Sequence, residues 1–187
     1  MSAVMPAKRA GASDDAIVAA IRAAGLTVAN WNGSHQFVAA GPTHRLDTFE
    51  AAAPPGTRVV RLAVAGAFHT DAMAPAAVMF ARAAAETDFA GAASAMVGNG
   101  DGALVSGPDD LRRRLITQLT SPVRWDLCSA TIADSTDVTT HIELAPAGPL
   151  TRLLKRARPD AHAVALRHPK DVEEVQEPNA SAIGLRV

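Results

Sequence analysis

Residues Val59 to Pro75 read VVRLAVAGAFHTDAMAP. Val59, Val60, Leu62, Val64 and Ala65 make an apolar run with Arg61 inside it, the pattern of a short, largely buried strand over Arg58–Ala65. Gly66 and Ala67 then remove side-chain bulk, and Phe68 and His69 follow. Thr70 and Asp71 are helix-starting residues, and Pro75 suits a first helical turn. The stretch thus reads strand, histidine, helix. In α/β folds such a junction, at the carboxyl end of a strand, is where reactive side chains are held.

Working back from this strand, Pro54-Pro55-Gly56 breaks a helix that Thr43 can open. Gln36–Ala40 and Leu26–Ala29 read as strands, with Asn30–Ser34 as the turn between them. Ser13 is an N-cap, with Asp14 and Asp15 in the first turn of a helix whose apolar face carries Ile17, Val18 and Ile21. Met1–Met5 reads as an edge strand. The order β-α-β-β-α-β is that of a ferredoxin-like unit, within an α/β chain overall.

Forward of His69, helices are predicted over Ala74–Thr87, from Asp109 to about Leu119, over Val123–Ala133, over Leu150–Arg156 and over Asp171–Val175. Strands are predicted at Ser94–Val97, His141–Leu144 and Ala161–Leu166. The domain reading is 1–66 for the ferredoxin-like unit, 67–170 for a second unit, and 171–187 for a terminal helix and tail.

The chain has 187 residues, 48% of them hydrophobic, and a formal charge of -1. That balance argues against non-specific nucleic-acid binding. With no Tyr, five Phe and two Trp, few large residues carry the core. One cysteine, Cys128, rules out an internal disulfide and a thiolate metal cluster, and it reads as a buried structural thiol. His44, His141, His162 and His168 lack metal-ligand spacing. No apolar run approaches the ~18 residues of a membrane-spanning helix, and the first residues lack signal-peptide order. The expectation is a soluble cytoplasmic protein with no membrane or nucleic-acid partner.

Three separated stretches converge on one family. Val28-Ala29-Asn30-Trp31-Asn32 with Gln36, Gly66-Ala67-Phe68-His69-Thr70 with Met73 and Pro75, and Gln118-Leu119-Thr120-Ser121-Pro122-Val123-Arg124-Trp125 stand in the chain in that order. They resemble the "ANxNxxxQ", "GAFHxxxMxP" and "QLxxPVRW" motifs of malonyl-CoA:acyl-carrier-protein transacylases. Asn99 with Gly102, and Glu143–Gly148 with Lys155-Arg156, fall in family order too. The resemblance runs from Met1 to about His168 and is similar in kind to the acyltransferase domains of polyketide synthases.

The resemblance implies a ferredoxin-like small domain followed by part of an α/β-hydrolase-like large domain. It also implies transfer of malonyl from malonyl-CoA to the phosphopantetheine thiol of acyl carrier protein, with no metal or redox cofactor. His69 would be the general base, oriented by the backbone carbonyl of Gln118. Spacing alone leaves His69 as a junction residue that caps the next helix. Phe68 would favour malonyl by narrowing the room for an α-methyl group; it also suits a core position. Asn30 and Asn32 would bond the thioester or pantetheine arm, or serve only as turn residues. His35 stands where the family carries Gly or a small residue. Arg152, Lys155 and Arg156 would meet an acidic carrier protein, whereas Arg112-Arg113-Arg114 reads better as a solvated helix face.

The family's nucleophile is a serine in a GHSxGE elbow, and this chain contains no G-x-S-x-G. The chain therefore resembles the carboxyl-terminal part of the enzyme, inactive alone and partnered by the missing amino-terminal half. The alternative is a non-catalytic module that holds an acyl carrier or a partner, or one subunit of a split acyltransferase.

Overall fold

A computed structural model of the chain describes residues 1–7, 11–135 and 138–176. The chain divides into two compact units, Met1–Ile132 and Ala133–Val187.

The first unit opens with strand β1 (Ser2–Pro6), helix α1 (Asp14–Ala23), strands β2 (Thr27–Trp31) and β3 (Phe37–Ala40), helix α2 (Thr43–Ala51) and strand β4 (Thr57–Arg61). This is the expected β-α-β-β-α-β order. A 3-10 turn at Asp71–Met73 leads into α3 (Ala74–Ala85), followed by α4 (Pro108–Thr117), the short strand β5 (Val123–Arg124) and α5 (Trp125–Asp134). The sheet order is β4-β1-β3-β2-β5. Pairing is antiparallel except between β2 and β5, which run parallel.

The core lies between this sheet and α1 and α2. Ile17 and Ile21, one helical turn apart, are fully buried with Val4, Val28, Phe37, Leu46 and Phe49. Each such side chain contributes about 1.5–3 kcal/mol of transfer free energy. Ser13 caps α1 by accepting from the Ala16 N–H at 3.3 Å.

Several sequence-based expectations are corrected. β1 is an interior strand, paired with β3 on one side and β4 on the other. β4 is the edge strand. It ends at Arg61, before the predicted Ala65, and Val60 and Val64 are exposed. β2 runs on through Asn30 and Trp31, which pair with β3 on one side and β5 on the other. The helix predicted from Val123 starts at Trp125 for the same reason. Ser94–Val97 is not a strand: Val97 forms an isolated bridge with Leu104, across a turn closed by Gly98 N–H to Ala103 O at 2.8 Å.

The second unit is a β-α-β element of β6 (Thr140–Glu143), α6 (Pro149–Ala157) and β7 (His162–Ala165), followed by α7 (Asp171–Gln176). β6 and β7 are parallel, and Leu154 and Val164 are buried within the unit. The tail predicted from Glu177 lies outside the described residues. Among the described residues no helix is long and apolar enough to cross a membrane.

Candidate active site

His69 sits just beyond β4 with φ +61°, a left-handed conformation that costs a non-glycine residue about 1–2 kcal/mol. Thr70 holds it there. The Thr70 side chain is buried, donates to the Ala67 carbonyl at 2.6 Å and accepts from the Ala72 N–H at 3.3 Å. These two bonds tie together the backbone two residues before His69 and three residues after it, so the strain persists.

The His69 Nδ1 lies 2.8 Å from the backbone carbonyl oxygen of Gln118. A carbonyl can only accept, so Nδ1 carries the proton and Nε2 presents its lone pair outward. Gln118 ends α4 as its C-cap. The last carbonyls of a helix have no partner within it, which leaves this one available.

Phe68 precedes the histidine and is 41% exposed. Its ring folds back towards Gly66, where a Cβ would lie 3.5 Å from it. Asn30 lies within β2, opposite Val38 on β3 and Val123 on β5, at a register shift in the β2–β3 pair. Asn32 begins the following turn, donating its N–H to the Gln36 carbonyl at 2.9 Å. Segment 118–124 links these places: its first residue meets His69 and its end pairs with Asn30 and Trp31. Arg124 fastens that end, stacked 5.0 Å over the Trp31 ring and bonded to Asp126 at 2.7 Å.

His35 occupies a left-handed turn, with Gly33, Ser34 and His35 all at positive φ. A family preference for glycine there has its physical reason in that backbone. His35 Nδ1 lies 2.8 Å from Asp14 Oδ1, which ties the turn to α1.

The sequence reading missed Asn99, beyond noting its place in family order. Its side-chain amide donates to Gln118 Oε1 at 3.0 Å. The reading of Arg112–Arg114 as a solvated face holds for the exposed Arg113 and is corrected for Arg112 and Arg114. Arg112 donates to the Ala84 carbonyl and lies 5.1 Å over the Phe89 ring, while Arg114 bridges Asp101 and Asp110. Hydrogen bonds from Arg114 and the Ser106 N–H hold the Asp110 carboxyl far below the usual range. Cys128 is buried beside the Gly98 carbonyl, and burial pushes its thiol pKa up, as suits a structural thiol. Among the described residues no group of three or more His, Cys, Asp or Glu side chains is arranged to hold a metal.

Arg152, Lys155 and Arg156 lie exposed on α6 in the second unit. There Glu143 binds the start of α6, accepting from the Leu150 and Thr151 N–H groups and the Thr151 hydroxyl at 2.7–2.9 Å. Burial raises its pKa, but these bonds together bring it down to about 2.

No family model matches the chain. A malonyl CoA-acyl carrier protein transacylase of Mycobacterium tuberculosis (strain ATCC 25618 / H37Rv) is 39% identical over 175 residues, 94% of this chain and 56% of that protein. Over nearly its whole length the chain is similar to malonyl-CoA:acyl-carrier-protein transacylases. The transacylase of Mycolicibacterium smegmatis is 35% identical over 89% of this chain and 59% of its own length. Among solved structures, that of MCAT from Mycobacterium tuberculosis superposes with a TM-score of 0.85 at 38% identity, covering 93% of this chain and 56% of that one. The mixed α/β fold is thus the transacylase fold. The chain spans a little over half the length of these relatives.

Proposed function

We propose that the chain supplies the general base and carrier-facing surface of a malonyl-CoA:acyl-carrier-protein transacylase. The observation that supports this reading is the His69 Nδ1–Gln118 carbonyl bond, which leaves Nε2 free to exchange a proton. A serine hydroxyl, contributed by a segment outside this sequence, attacks the malonyl thioester. Its oxygen forms a bond to the acyl carbon, the carbon–sulfur bond breaks, and His69 Nε2 carries the serine proton to the departing coenzyme A sulfur. The carrier's phosphopantetheine thiol then reverses the steps, giving its proton to Nε2 and taking the malonyl group. The α4 terminus stabilises the imidazolium formed in each half-reaction.

Phe68, exposed beside the base, limits room at the malonyl α-carbon; one methyl of discrimination is worth about 1–3 kcal/mol. Asn30 and Asn32 bond the thioester or pantetheine arm. Arg152, Lys155 and Arg156 attract the acidic carrier.

The test is transfer of radiolabelled malonyl from malonyl-CoA to holo acyl carrier protein. The chain is assayed alone and with the amino-terminal part of a mycobacterial relative. Transfer is expected only with that part present, and lost in His69→Ala. Full transfer by the His69→Ala chain, or none from the reconstituted pair, would overturn the reading.

A further inference from the structure

We infer that Asn99 is a positioning residue for His69, acting through the side chain of Gln118; the inference rests on reading His69 as the base. Asn99 stands in a turn fixed from several sides. The Gly102 N–H bonds the Gly98 carbonyl at 2.9 Å, and the Thr131 hydroxyl on α5 bonds the Gly102 carbonyl at 2.7 Å. Gly102, at φ +69°, lies so close to α5 that a Cβ would fall 2.7 Å from a Leu127 backbone carbon. Asp101 in the same turn binds Arg114 of α4 at 2.6 Å.

From this platform Asn99 reaches two ways. Its carbonyl accepts the Arg124 N–H of β5 at 2.7 Å, and its side chain holds Gln118 Oε1. Gln118 needs such a hold. It is the C-cap of α4, one residue past Thr117, and its carbonyl has no partner within the helix. Gripping the side chain limits rotation of the residue whose carbonyl meets Nδ1, and so holds the histidine's tautomer.

The experiment is nitrogen-15 NMR of the His69 ring in the whole chain, at a pH where imidazole is neutral. The native ring is expected to show a protonated Nδ1 and a bare Nε2. Asn99→Leu should lose that signature, the two nitrogen shifts converging as the tautomers mix. Asn99→Asp should keep it, because the Gln118 amide can turn its NH₂ towards a carboxylate. Should Asn99→Leu not fold, Gln118→Met decides: it keeps the carbonyl, removes the side-chain partner and should mix the tautomers too. A folded Asn99→Leu or Gln118→Met chain with the native signature would overturn the inference, as would equal mixing in the Leu and Asp variants. A native ring already mixed would instead overturn the orientation assigned to the base itself.

Discussion

The ring Nδ1 of His69 and the backbone carbonyl of Gln118 meet at 2.8 Å across 49 residues of chain. The histidine arrives on a strained loop and the carbonyl on a helix end, and each supplies what the other lacks. The strain at His69 should therefore be separable from its chemistry. His69→Gly and His69→Ala both lose the bond to Gln118, and His69→Gly is expected to be the more stable of the two by about 1 kcal/mol because it relieves the left-handed residue. In the reconstituted assay it should lower transfer by about 10²–10⁴-fold. Thermal melting and malonyl transfer check the two halves, and a His69→Gly chain no more stable than His69→Ala would contradict the strain argument.

Gly102 should tolerate no side chain. Its φ is +69° and a Cβ would meet the Leu127 backbone, which cannot rotate away as a side chain would. Gly102→Ala is expected to cost about 2 kcal/mol or more in urea denaturation. Its largest amide shift changes should lie at Asn99, Leu127 and Thr131.

In the core, Ile21→Ala removes a fully buried side chain from between α1 and the sheet. A loss of about 2–5 kcal/mol is expected. The exposed Met79, 73% accessible on α3, should change stability by less than about 0.5 kcal/mol when replaced by Gln. Denaturant midpoints of the two variants give the comparison.

Acid should loosen the start of α6. The Glu143 carboxyl, brought from 4.5 to about 2 by its bonds to Leu150 and Thr151, stabilises the fold fully above its unfolded pKa. That contribution is lost as pH falls from about 4.5 through about 2. Glu143→Gln should cost about 1 kcal/mol at neutral pH, as a lost helix cap does. It should also flatten the acid dependence of amide exchange at Leu150 and Thr151, and an unchanged dependence would contradict the assignment.

Reversing two charges on α6, Arg152→Glu with Lys155→Glu, should weaken acyl carrier protein binding roughly tenfold at low salt, about 1.4 kcal/mol. The difference should shrink as salt screens the charges. Equal affinity of native and reversed chains at low salt would remove α6 as the carrier surface.

Local pattern carried a large part of this protein. Ser13 with two aspartates, the Ile17/Ile21 spacing, Pro54-Pro55-Gly56 and the apolar runs specify the helices, breaks and strands of the first 61 residues through nearest-neighbour chemistry alone. The histidine motif and the Gln118 stretch were legible only through their resemblance to the family's motifs, since spacing alone leaves His69 a junction residue. Tertiary pairing decided the rest. Nothing within Met1–Met5 distinguishes an interior strand from an edge, since that depends on how many neighbours arrive. Two residues, Val123 and Arg124, are too few to show a strand's alternation, yet they pair with Asn30 and Trp31 and add a parallel strand to the sheet. Asn99 reads as an ordinary turn residue until Gln118 is brought to it, because a hydrogen bond across 19 positions leaves no periodic trace in sequence.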